Sequence, residues 1–210
     1  GYSNVYSKIN VSRVTLKGLD NNVIKNFMDE EDKLIEYITS YYNEINGEIE
    51  NYIPSNEVTS SIKMQINSAI LSIYYELDFS LDKNIYSNNV KKYVITTNVD
   101  LATGRVLSNN DLLKKYNYTR KYIVEKVYDE DLIIGNGQIV IDKNTNISLT
   151  KEDIERNKEE YINRLTNEFD NFINMYIENK TLVLVYNKGD LRNMFFDNDF
   201  DSELIVRYLK

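Results

Sequence analysis

The stretch Lys91–Lys115, K-K-Y-V-I-T-T-N-V-D-L-A-T-G-R-V-L-S-N-N-D-L-L-K-K, decides how the chain is read. Tyr93, Ile95, Thr97, Val99 and Leu101 alternate with Val94, Thr96, Asn98 and Asp100, and a period of two is the signature of a strand. Ala102-Thr103-Gly104 makes a tight turn, with Gly104 supplying the positive φ that a hairpin needs. A short strand follows, then a helix opened by Ser108, whose side chain can accept from a free N–H of the first turn. Asp111 sits where the helix dipole favours a negative charge. The stretch carries no catalytic group.

Upstream, Ile62, Met64 and Ile66 alternate with Lys63 and Gln65, and I-L-S-I-Y-Y-E-L-D-F continues with β-branched and aromatic residues. Two strands joined at Asn67-Ser68 are the first reading, one long bent strand the second. Asp82, Asn84, Asn88 and Asn89 form the loop before the opening stretch. Strands over 58–66, 69–79 and 91–101 are then consecutive and closely joined, which favours an antiparallel meander. Before them, Val5–Leu16 reads as a strand, Asp20 as a helix cap, and 21–52 as helical with a break near Met28-Asp29. On that reading Asp29, Glu30, Glu31 and Asp32 form the acidic first turn of a second helix, and Pro54 ends it.

Downstream, Tyr122, Ile123, Val127 and Tyr128 mark a helix, and Ile139–Ile141 a short strand. Thr150, with Asp153 three residues on, opens a helix expected to run to about Ile177. Asn179-Lys180 turns the chain into the strand T-L-V-L-V-Y, Gly189-Asp190 starts a loop, and Leu204–Leu209 closes as a strand. The expected fold class is α+β, an antiparallel meander with long helices packed on one face. A single domain over 1–210 is expected, with 1–53 as an optional sub-region.

Composition narrows the function classes. Net charge is −8 with a pI near 4.8, and no basic stripe exists to neutralise phosphates, so no nucleic-acid partner is expected. An acidic surface suits a basic partner, or serves solubility alone. With no cysteine and no histidine, disulfides, thiolate chemistry and imidazole-based acid–base work or metal sites drop out. No apolar run is long enough to span a membrane, and no signal peptide is present. The sequence begins at Gly1 rather than Met, so a trimmed or mature fragment is expected.

Asp197, Asp199, Asp201 and Glu203 alternate in D-N-D-F-D-S-E, the way calcium loops begin, and are the candidate metal ligands. Ser202 replaces the sharp-turn glycine and Tyr208 the bidentate glutamate, so a solvated acidic loop is the competing reading. Asp129, Glu130 and Asp131 form a similar run. Paired carboxylates could serve a hydrolase, though acids are too plentiful here to single out a pair. Tyrosine is in excess, 18 against 7 phenylalanines, and its apolar face with a polar tip suits binding surfaces as well as core rims.

The order I-L-S-I-Y-Y, then D-L-A-T-G and N-D-L-L, resembles the extracytoplasmic C-terminal domain of lysozyme-sensing anti-sigma factors. The same domain type forms non-catalytic regions of some peptidoglycan deacetylases. The motif positions are Asp100, Leu101, Thr103, Gly104, Leu107, Asp111, Leu112 and Leu113, and the overlap covers about 45 residues, from Ile70 to Lys115. A final strand at 181–187 after a long helix fits more loosely. The Gly-Gly-Ala-His-like segment of the family is replaced at 80–90 by S-L-D-K-N-I-Y-S-N-N-V. The resemblance implies a non-catalytic, cofactor-free extracytoplasmic sensor or ligand-binding domain, with a basic protein such as lysozyme as partner. A wall-associated module binding glycan or peptidoglycan through exposed tyrosines is the alternative, and a carboxylate hydrolase the third reading.

Overall fold

The computed structural model describes residues 13, 15–46, 57–80, 82, 90–198 and 200–210. The chain packs as two compact units, 1–106 and 107–210. Most of the expected strand over Val5–Leu16, the Pro54 helix stop, and residues 81 and 83–89 of the altered loop lie outside the described residues.

Unit 1 places helix α1 (Asn21–Asn46) on a three-stranded antiparallel sheet in the order β1 (Glu57–Asn67), β2 (Ile70–Ser80), β3 (Val90–Asp100). The expected meander is present. Leu71, Ile73, Tyr75, Leu77 and Phe79 of β2 share a face with Ile95 and Val99, and pack with Val23, Phe27 and Ile38 of the helix. Phe27 meets the Tyr75 ring edge-on at 5.4 Å. The β1–β2 turn is Ser68-Ala69, one residue later than expected. Both take positive φ, 47° and 63°, as a two-residue hairpin of this twist demands even without glycine.

The expected break at Met28-Asp29 does not occur; α1 is one helix. The acids of 29–32 therefore stand in its interior rather than at an N-terminus. Four residues beyond Phe27, Glu31 falls on the buried stripe and is 1% exposed. Arg13 donates to it from Nε at 2.8 Å and bonds Asp32 as well, so the buried charge is answered locally.

Unit 2 runs through α2 (Asn109–Lys115), α3 (Arg120–Val127), a π-helical turn at Tyr128–Leu132, β4 (Ile139–Ile141) and β5 (Ser148–Thr150). It continues through α4 (Lys151–Arg156), α5 (Lys158–Asn167), α6 (Phe169–Phe172), β6 (Asn174–Glu178), β7 (Thr181–Asn187), α7 (Lys188–Asn193) and β8 (Leu204–Tyr208). β4 pairs with β5, and β6, β7 and β8 form an antiparallel sheet in that order. The fold class is α+β, with its strands divided among three sheets.

The helix expected from Thr150 to Ile177 is broken at Asn157 and Glu168 and ends at Phe172. Met175, Tyr176 and Ile177 are all buried, so their run has no polar alternation to announce a strand. The two-residue turn Asn179-Lys180, at φ 49° and 63°, folds them back against β7 and decides the matter. Gly189-Asp190 opens helix α7 rather than a loop, because the Asn187 side chain accepts from the Asp190 N–H at 3.0 Å. A Cβ at Gly189 would lie 1.9 Å from the Asp201 carbonyl oxygen, so only glycine allows the segment before β8 to cross here. Among the described residues no helix is long and apolar enough to cross a membrane.

Candidate functional site

The hairpin motif has the geometry its residues demand. The Asp100 carbonyl accepts from Gly104 N–H at 2.7 Å, and Gly104 has φ 71°. Asp100 Oδ1 accepts from Ala102 N–H at 2.9 Å, closing an Asx turn, and Thr103 Oγ1 accepts from Arg105 N–H at 3.3 Å. Leu101 donates its N–H to the Ala69 carbonyl at 2.8 Å and leaves its side chain exposed. Ser108 and Asp111 form a reciprocal capping box, at 2.9 and 3.1 Å, while Leu112 and Leu113 are buried. These residues build a turn and a helix start. Asp100, Leu101, Thr103, Gly104, Asp111 and Leu112 thus act on the backbone.

The candidate calcium residues are distributed otherwise. Asp197, Asp201 and Glu203 are exposed, and Asp199 lies outside the described residues. Their loop is pinned by its amides: Asn198 Oδ1 accepts from Ile141 N–H at 2.8 Å, and Asn193 brackets the Phe200 backbone at 2.8 and 3.0 Å. Among the described residues no group of three or more acids is placed to hold a metal ion.

The second acidic run holds the most connected polar group in unit 2. Asp129 faces Lys158 at 3.3 Å, and Glu130 faces Lys126 at 2.7 Å and Arg207 at 2.8 Å. Asp131 instead points inward and is 2% exposed. Its Oδ2 accepts from the Tyr186 hydroxyl and from Arg207 at 2.8 Å, and Lys188 stands 3.9 Å from Oδ1. Arg192 donates to the carbonyls of Asp131 and Ile133 at 2.8 and 3.2 Å, answering oxygens that the turn leaves free.

Burial, followed by the adjacent Asp131 carboxylate, pushes the Tyr186 hydroxyl well above the ordinary phenol range. Arg207 is held further into its charged form by Asp131 and Tyr186, against the cost of its burial. Arg192, buried on carbonyls, is lowered. A phenol held protonated against a carboxylate saturated by donors is a clamp on the π turn, β7, β8 and α7. The signal was in the sequence: Ile123, Val127 and Asp131 follow at intervals of four, and Arg207 alternates between Ile205 and Leu209.

A half-open cavity of about 400 Å³ lies elsewhere in unit 2, lined by Lys143, Arg164, Asn167, Glu168, Met194 and Phe195. The β4–β5 hairpin brings Lys143, whose N–H bonds the Phe195 carbonyl at 2.9 Å and whose Nζ donates to the Asn193 carbonyl at 3.0 Å. The C-terminal end of α5 brings Arg164, stacked 4.3 Å above the Phe195 ring. Sequence reasoning missed this site, because no local spacing joins these three segments.

No known family model matches the chain, and no curated protein matches it.

Proposed function

We propose that the chain is a non-catalytic binding module of the cell envelope, of the kind found in extracytoplasmic sensor domains, and that its partner is a basic protein such as lysozyme. The observation that carries the reading is a set of exposed acids that make no ion pair among the described residues. Glu152, Glu159 and Glu160 lie along α4 and α5, and Asp197, Asp201 and Glu203 in the loop before β8. Other acids nearby are matched: Glu155 pairs with Lys151, Asp153 with Arg156, and Asp170 with Arg120. Unmatched surface charge steers a partner of opposite sign and speeds encounter more than it tightens the final complex. The Asp100–Gly104 turn and the Ser108–Asp111 cap add support, since they realise the geometry on which the sensor-domain resemblance rests.

The test is binding to lysozyme at low and at high salt. Binding at low ionic strength that weakens steeply with salt, and an association rate that falls in the triple variant E152Q/E159Q/E160Q, are expected. Absence of binding at low salt overturns the reading. A second reading, wall glycan, has its own observation: the Tyr118 and Tyr122 rings stack at 5.6 Å, and Tyr122 is half exposed. Sedimentation with purified peptidoglycan that is lost in Tyr122→Ala would favour it over the protein partner.

A further inference from the structure

The cavity beside Phe195 holds two cations, Lys143 and Arg164, that make no ion pair among the described residues. The Arg164 guanidinium makes no hydrogen bond or ion pair among the described residues; it lies over the Phe195 ring, 4.3 Å from its centre. Against the cost of its burial, the Asp142 carboxylate is held below the usual range by hydrogen bonds from Thr145 and Asn144 and, least, by the Arg164 charge, and its Oδ1 is spent on its own loop. It accepts from Asn144 N–H at 2.9 Å, from Thr145 N–H at 2.7 Å and from the Thr145 hydroxyl at 3.0 Å. Lys143 gives one N–H to a neutral carbonyl and keeps two. A guanidinium held over an aromatic ring loses little further freedom when it grips a carboxylate in two places. The buried Asp131 is saturated with donors, whereas these two cations face a cavity.

The remaining lining residues choose among anions. Glu168 contributes a negative charge to the same wall, and its Oε2 already accepts from the Asn171 amide at 2.6 Å, which orients it. A dianion such as phosphate would be repelled by that carboxylate, whereas a ligand carrying an ammonium beside its own carboxylate uses it. Met194 offers an apolar wall, with the buried Phe195 behind it, and Asn167 an amide at the rim. A volume of about 400 Å³ falls within the usual range for small-ligand pockets, roughly 300–1,000 Å³, and exceeds what one ion needs.

We propose that this pocket binds a small zwitterion with an apolar side chain, that is, a free amino acid or the end of a short peptide. Arg164 and Lys143 take the carboxylate, Glu168 takes the ammonium, and the side chain lies against Met194. The inference goes beyond the partner-binding reading and uses none of the residues assigned to it, so either can fail alone.

Leucine, N-acetylleucine, leucinamide and inorganic phosphate are titrated separately into the full chain, followed by amide shifts in two-dimensional NMR. Leucine is expected to bind in the millimolar range, moving the Asn167, Met194 and Phe195 amides, with each blocked derivative about tenfold weaker. Arg164→Gln and Lys143→Gln lose about tenfold for leucine. Glu168→Gln loses the preference for leucine over N-acetylleucine while still taking the acetylated form. An unchanged spectrum outside the pocket shows that each variant folds. No shift at millimolar leucine overturns the proposal, as does equal binding of the blocked derivatives. Tighter binding of phosphate than of leucine overturns it too, and leaves a plain anion site.

Discussion

Asp131 and Arg164 are charges of the same unit treated in opposite ways. Around Asp131 the carboxylate meets Tyr186, Arg207 and Lys188, and the neighbouring Arg192 satisfies the carbonyls of the same turn. Around Arg164 the guanidinium has a ring beneath it and an open cavity beside it. A buried charge is costly unless every lone pair and proton is used, so saturation marks a group whose task is to hold the fold together. A cation kept at the wall of a cavity with its donors unspent has its bonds left to make. Counting partners therefore separates structure from binding here, where residue type does not.

The comparison breaks most directly at Asp131. Asp131→Ala leaves Tyr186 and Arg207 without their common acceptor and is expected to cost about 3 kcal/mol or more, read as faster exchange of the β7 amides. A cost near that of a surface substitution would show that the network is incidental. Gly189→Ala is expected to cost about 1–3 kcal/mol, because its methyl would meet the Asp201 carbonyl oxygen and displace the segment before β8. Chemical denaturation measures it.

Tyr186→Phe comes next, at about 1–2 kcal/mol, for the lost bond donated to the Asp131 carboxylate and the one accepted from Arg207 Nε at 3.0 Å. It also carries a pH signature. The folded hydroxyl ionises above its ordinary range, so the unfolded chain loses that proton first as pH rises past about 10. Stability contributed by Tyr186 is thus full below about pH 10 and is lost on going higher, toward the folded value. Alkaline denaturation of Tyr186→Phe should have a shallower slope with pH than the parent chain.

How much of this was legible follows the range of the interactions. Unit 1 was written locally: three strands of 11 residues each follow one another with short connections, and Asp100, Gly104 and Ser108 fix their own backbone within a few residues. Its failure was Glu31, read as part of a solvated turn because a chain break was placed where the helix continues. Unit 2 is made of short elements whose state depends on distant partners. Met175–Ile177 carries no period of its own and becomes a strand through β7, and Gly189-Asp190 becomes a helix through Asn187. Asp131 looked like one more surface acid until Arg207, 76 residues later, was placed beside it. The Lys143–Arg164–Phe195 cavity joins three segments with no shared motif, and tertiary packing alone assembles it.

Arg164→Gln tests the other side of the comparison. The contact with Phe195 is worth about 0.5–1 kcal/mol, so stability should fall by no more than that while leucine binding weakens about tenfold. A stability loss as large as that of Asp131→Ala would move Arg164 into the structural class.

The smallest effect expected belongs to Asp153, a partly exposed acid that is nevertheless saturated. Its Oδ2 accepts from the Thr150 N–H at 2.8 Å and from the Thr150 hydroxyl at 3.0 Å, and Arg156 reaches Oδ1 at 3.2 Å. The Thr150 backbone bond first, then the Thr150 hydroxyl, hold this carboxyl below the usual carboxylate range. A lowered folded pKa means that the unfolded chain takes up the proton first on acidification. The contribution of Asp153 is therefore full above about pH 4, its unfolded value, and disappears as pH falls through the folded one. Asp153→Asn keeps an acceptor for the cap but removes the charge, so it should be slightly less stable than the parent at neutral pH and converge with it in acid. A thermal midpoint difference that persists unchanged at low pH would place the value of this residue in cap geometry alone, and saturation without burial would then carry no electrostatic weight.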